Sequence, residues 1–226
     1  MTNRGHIAKV KNGSYSKYNP HPLTRTTDLH TFLRTRRSIR RFKPDPVPDS
    51  VIQTLIHTAA FAPSAHNRQP WRFVIISNPD AKSRLSQRMS AEFQRDLEKD
   101  KLSPEDIQKK LKRSHERMTG APVVIILCVD MSEMDEYPDT RRKKAEYIIA
   151  TQSTANAGMQ LLLAAHAEGL GGVWVCSPIF AQETVQNALE IPQTWEPQAM
   201  FLLGYPENQP SLRERKPIEE VTKFIK

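Results

Sequence analysis

The chain switches several times between two spacings of apolar residues, the helical 3 to 4 and the continuous run of a covered strand. Leu29, Phe32 and Leu33 fall on one helical face behind Asp28, which predicts a short capped helix. Val51, Ile52, Leu55, Ile56, Ala59 and Ala60 form a second stripe after Asp49 or Ser50 and end before Pro63. A polar loop from Pro63 to Pro70 leads into Trp71 to Ser77, apolar and β-branched at strand length. Residues 80–119 are densely charged, with Leu85, Met89, Phe93, Leu97, Ile107, Leu111 and Met118 at helical intervals and a break at Ser103-Pro104, so two solvated helices are expected. Ala121 to Asp130 is almost unbroken Val, Ile and Leu, the signature of a strand covered on both faces.

A long helix is expected from about Lys143 to Glu168, stopped by Gly169; its small residues, Ala155 and Gly158 among them, fit either the core or a close dimer contact. Short elements follow: a strand over Gly172 to Cys176, a helix over Gln182 to Leu189, a strand over Gln198 to Leu203 and a Pro-containing tail from Tyr205. The order of elements is that of an α+β layered sheet sandwiched by helices.

At 226 residues and 38% hydrophobic, the chain can bury one core. Residues 1–26 show no apolar period and read as a basic arm, leaving 27–226 as one domain. The net charge of +8 would ordinarily raise nucleic acid as a partner, but its distribution argues otherwise. All of it lies in residues 1–50, and the remainder carries 22 charges of each sign. That asymmetry asks for anion sites near the start of the fold. No apolar run approaches the roughly 20 residues of a membrane span, and no apolar leader precedes the fold, so a soluble cytoplasmic protein is expected. Cys128 and Cys176 read as two buried thiols.

The most specific chemistry lies in Arg36-Arg37-Ser38-Ile39-Arg40-Arg41-Phe42. Guanidinium groups at i and i+4, Arg36 and Arg40, suit one phosphate, with a hydroxyl between them, although a basic turn of this kind is more often simply solvated. Ala62-Pro63-Ser64-Ala65-His66-Asn67-Arg68-Gln69-Pro70-Trp71 gathers a hydroxyl, amides and an imidazole ahead of a core strand. Gly169-Leu170-Gly171-Gly172-Val173-Trp174 joins the long helix to a strand, where glycine allows a ligand close to the backbone. It lacks the dinucleotide spacing and precedes a strand instead of following one. Gly204-Tyr205-Pro206 then leads to Arg213, Arg215, Lys216 and Pro217, by itself an ordinary charged tail.

In this order, from about Leu29 to Val221, the four elements resemble the nitroreductase family of flavin-mononucleotide (FMN) enzymes. The Ser-Ala-His-Asn and Arg-Lys-Pro details are similar to the nitroreductase-like domain attached to deazaflavin-coenzyme glutamate ligases, although no ligase domain is present in this sequence. The resemblance implies a three-layer sandwich, a central mixed β-sheet flanked by helices, assembled as an intertwined homodimer with FMN at the interface. By position, Arg36, Arg37, Ser38 and Arg40, joined by Arg215, would grip the phosphate and ribityl chain. Pro63, Ser64, Ala65, Asn67 and Gln69 would reach the flavin from the partner subunit. Leu170, Gly171 and Gly172 would offer backbone donors along the ring edge. It further implies two-electron transfer from NADH or NADPH through flavin N5 to a small organic acceptor, a nitroaromatic or quinone, in a ping-pong cycle. No nucleophilic triad is visible, as expected if the cofactor supplies the reactivity.

His66 lies inside the flavin loop and divides evenly between a substrate contact and a plain loop residue. None of the seven histidines has metal-ligand spacing, so no metal is expected. The acidic loop holding Met131 to Met134 and Tyr137 either covers the site or merely connects elements. Three alternatives remain: an FMN sensor or store without turnover, a flavin-dependent dehalogenase or flavin-fragmenting enzyme, and a nucleic-acid module using the arm, which leaves the loop and glycine elements unexplained.

Overall fold

The computed structural model describes residues 26–226. The expected arm over 1–26 therefore lies outside the described residues except for its last position. The chain forms two compact units, one containing α1 (Thr26–Thr35) and the other comprising residues 36–226. Asp28 sits in the first turn of α1 and not at its cap.

The larger unit is built on a four-stranded sheet in the order β1-β2-β4-β3. Its strands are β1 (Trp71–Ile76), β2 (Val123–Asp130), β3 (Gly171–Val175) and β4 (Trp195–Gly204). Every pairing is antiparallel. The parallel character expected of the sheet is confined to a single bridge, Ser38 to Gly172, on the outer edge of β3. Every residue of β2 is buried, as a strand between two helical layers requires. Val123, Ile125 and Leu127 share one core with α2 (Asp49–Ala59) and α5 (Thr140–Ala167). Val124, Ile126 and Cys128 face the other, which holds residues of α3 (Pro79–Lys99), α4 (Pro104–Thr119) and α6 (Gln182–Leu189). The strand period of two thus assigns alternate residues to opposite layers.

Helix ends follow local chemistry. Asn78, Ser103 and Asp139 cap α3, α4 and α5 by accepting the backbone N–H of Ala81, Asp106 and Arg142. At α2 the expected side-chain cap is absent: Pro48 precedes the helix and its carbonyl accepts from Val51 and Ile52. α5 stops at Ala167 and the chain turns at Gly169, whose φ of 73° is glycine's own region, while Leu170 N–H returns to the Ala165 carbonyl at 2.8 Å. In the middle of α5, a Cβ on Gly158 would lie 2.6 Å from Trp174 and 2.9 Å from Leu127 and Phe201. The small residue at this position serves the core.

Two expectations are corrected. β3 stops at Val175, so Cys176 leaves the sheet and is exposed, while Cys128 is buried. β4 begins three residues earlier than expected, because a register shift at Leu127/Cys128 lets Glu196 and Trp195 pair with Val129 and Asp130. Among the described residues no helix is long and apolar enough to cross a membrane.

Candidate functional site

Residues 36–43 meet the edge of β3 at Ser38, which bridges Gly172. Ile39 donates its N–H to the Gly172 carbonyl at 3.1 Å, and further on Lys43 donates to Tyr205 at 2.9 Å and Glu207 to Arg41 at 3.2 Å. The second pair of bonds ties the start of the tail to the arginine segment, and Phe42 pairs with Pro206 beside them. This places Arg215 close enough to act on Arg36. Burial holds the Arg36 guanidinium below its usual range, and the like charges of Arg215 and then Arg37 lower it further. No carboxylate figures among these influences. Half-buried Arg36 and Arg37 with exposed Arg215 near them concentrate positive charge at this point.

Between Arg36 and Arg40 the backbone pairs with Gly172 at Ser38 and Ile39, so the segment is not a helical turn. The positive charge of Arg40 also acts on Arg117 of α4, next to Arg113. Ser38 remains beside Gly172, within the cluster's segment.

The loop after α2 is held open by strain. His66, Asn67 and Gln69 all take positive φ, at 49°, 55° and 51°. Three non-glycine residues in this region within four positions are costly, and such strain persists only where surroundings fix it. The fixing groups are plain: Ser64 Oγ accepts from Gln69 N–H at 3.1 Å, and Ser153 Oγ of α5 accepts from Ala65 N–H at 3.2 Å. Asn156 and Gln160, also on α5, donate to the carbonyls of Pro63 and Thr58 at 3.3 and 2.8 Å. From the other side Arg68 pairs with Asp135, and Arg72 reaches Asp130 at 3.2 Å and Glu133 at 3.4 Å. The acidic loop after β2 is thus a brace for this segment. His66, Asn67 and Gln69 are left exposed at its tip, and Pro63 also lies at the surface.

The glycine element has a packing role. A Cβ at Gly171 would meet Ile39 at 2.7 Å, and one at Gly172 would meet Leu203 at 2.6 Å and Leu162 at 2.9 Å. These glycines let the arginine segment and the core close onto β3. Leu170 is buried with its N–H engaged at Ala165, so it is a packing residue and not a free backbone donor.

α5 links the two halves of the site and also separates them. The strained loop is fixed at Ser153 and the glycine turn at Ala165, twelve residues further on, or roughly 18 Å along a helix. Ser153, Asn156 and Gln160 were absent from the sequence candidates, although polar residues at i, i+3 and i+7 on a helix otherwise rich in small residues were the available signal. Asp135 and Glu133 carried no such pattern. Among the described residues no group of three potential ligands could hold a metal ion.

Comparison with known proteins follows this geometry. A family model described as the nitroreductase family matches residues 33–205. The chain is 29% identical over 192 residues to a Bacillus subtilis (strain 168) protein provisionally named NAD(P)H nitroreductase YfhC, covering 85% of this chain and 91% of the relative. It is 30% identical over 218 residues to an NADH dehydrogenase of Thermus thermophilus, covering 86% and 94%. A Desulfovibrio desulfuricans structure, provisionally named a nitroreductase and solved in complex with FMN, superposes with a TM-score of 0.66 at 25% identity, covering 88% of this chain and 96% of that one.

Proposed function

This chain belongs to the nitroreductase family, and on that premise we propose that it is an FMN-dependent oxidoreductase that carries two electrons from NADH or NADPH to a small organic acceptor such as a nitroaromatic or quinone. The observation that supports this most directly is the crowding at Arg36, a half-buried guanidinium held below its usual range by burial and by the like charges of Arg215 and Arg37. A ligand with a dianionic phosphate fits that charge, and the Ser38 hydroxyl lies in the same segment to bind the chain that follows the phosphate.

When bound, FMN supplies the hydride and electron chemistry, which no side chain of this protein needs to perform. The protein's part is to bind and orient. Arg36, Arg37 and Arg215 would hold the phosphate end; Gly171 lets Ile39 of the arginine segment pack tightly on β3. Ser64, Asn67 and Gln69, preset by strain and by the anchors on α5, offer polar groups that need little reordering on binding. His66 at the tip of the same loop is a contact for the acceptor.

One chain holds these two halves about 18 Å apart along α5, so the reading includes a homodimer in which the loop of one subunit meets the arginine cluster of the other. Apolar exposure on α5 supports this. Ile148 and Met159 are 45% and 44% exposed and lie eleven residues apart on one face, a stripe suited to a second copy.

The test is an absorbance spectrum of the protein as purified, followed by anaerobic addition of NADH and then NADPH. Visible flavin bands that bleach with a nucleotide and return on adding a quinone are expected. Bands that never bleach would replace the enzyme with a flavin store or sensor, and failure to load FMN would remove the flavin reading altogether.

A further inference from the structure

The flavin reading makes no use of the space between α3, α4 and the outer face of the sheet. A cavity of about 590 Å³ lies there, within the range of small-molecule sites. None of residues 36–40, 63–69, 170–172 or 215 lines it.

The floor is apolar, made of Met89 and Met118 from the two helices with Val175, Met200 and Leu202 from the sheet. Phe93 and Phe180 stand at its rim, Phe180 being 77% exposed. The helical walls carry opposite charge. On α3, Glu92 and Asp96 face the cavity, each engaged on its own side, Glu92 by Arg95 and by the Thr184 hydroxyl at 3.0 Å, Asp96 by Lys99 at 3.2 Å; Asp100, just past the end of α3, also lines it. On α4, Lys110, Arg113 and Arg117 fall at i, i+3 and i+7 and share the face that lines the cavity. Arg117 is held below its usual range by burial first and then by the positive charges of Arg113 and Arg40, with no carboxylate among the influences. Asp100 lies at the connection into α4, remote along that helix from Arg113 and Arg117, so the end of the cavity under these two arginines, above an apolar floor, suits an occupant with one anionic end and an apolar body.

We propose that this cavity is a second binding site, separate from the flavin cluster, for a small amphipathic carboxylate of the aryl or medium-chain acyl class. Its apolar body lies on Met89, Met118, Met200 and Leu202, and its carboxylate meets Arg113 and Arg117.

The experiment titrates decanoate, and decanol as its neutral counterpart, into the full-length protein saturated with FMN, following heat of binding and flavin absorbance together. Decanoate is expected to bind once per chain without displacing flavin, and decanol at least tenfold more weakly, the ratio expected when a charged hydrogen bond is lost. An Arg113→Gln/Arg117→Gln double variant should weaken decanoate at least tenfold and leave decanol unchanged. Ser114→Trp, which fills the cavity from α4, should abolish binding of both; melting temperature and flavin content report that each variant folds. Release of FMN by decanoate would assign the effect to the flavin site and overturn the proposal. Absence of binding, or equal binding of acid and alcohol, would overturn it as well.

Discussion

Arg36 carries two opposed consequences. Crowding by Arg215 and Arg37 disfavours its charge in the flavin-free protein, whereas a bound phosphate would turn the same crowding into attraction. Arg36→Gln should therefore raise the melting temperature of the flavin-free protein while weakening FMN retention by about 1.5–3 kcal/mol, the worth of a hydrogen bond to a charged group. Equal flavin retention in variant and wild type would remove Arg36 from the phosphate site. Cys128 gives a pH-dependent prediction. Burial first, and Glu196 second, push its thiol from 9.0 up to about 12. Between those values the folded chain keeps a proton that the unfolded chain releases, so this contribution is complete below pH 9 and is lost as pH rises toward 12. Urea midpoints measured from pH 8 to 11 should fall more steeply in the wild type than in Cys128→Ala. Cys176, being exposed, should be the thiol that a maleimide modifies in the native protein.

Among the elements, α5 bears most on both fold and site. Gly158→Ala gains about 1 kcal/mol of helix propensity, yet its new methyl group would meet Trp174, Leu127 and Phe201 at 2.6 to 2.9 Å. Overpacking should prevail, with a net loss of about 1–2 kcal/mol in denaturant unfolding. Ser153→Ala should cost about 1 kcal/mol in stability and loosen the Ala65 loop, read as faster amide exchange from Ala65 to Gln69. Much of this arrangement was legible in the sequence: the two spacings of apolar residues located α2 to α5 and β2 because packing on both faces of one sheet enforces them. What periodicity does not carry is direction. The i, i+4 spacing of Arg36 and Arg40 suggested a shared phosphate, but it did not reveal that the residues between them pair with Gly172 at the edge of β3 or that Arg40 acts on Arg117 of α4. The close packing of Ile39 on Gly171 and of Leu203 on Gly172 was equally beyond local spacing. The brace from Arg68 and Arg72 to Asp135, Asp130 and Glu133 links residues more than fifty positions apart, beyond the reach of any local spacing.

For the whole molecule, the decisive expectation is assembly. If two copies complete each flavin site, Met159→Asp on the exposed stripe of α5 should give monomers in sedimentation and lose FMN in the same step. A variant that sediments as a monomer yet retains flavin would refute the shared site, and a wild-type monomer would refute the dimer.

The sheet has two unlike sides. On the β3 side the arginine segment bonds to Gly172 and occupies the flank, while β1 ends the strand order at the other side. Backbone groups facing outward from β1 are thus the natural template for strand addition during partial unfolding, and the defences there are modest: Pro70 just before the strand, Pro79 soon after it, and the charge of Arg72 within it. Replacing Arg72 with an apolar residue would remove both a brace of the site and a gatekeeper, so clumping on heating and loss of flavin should appear together in that one variant.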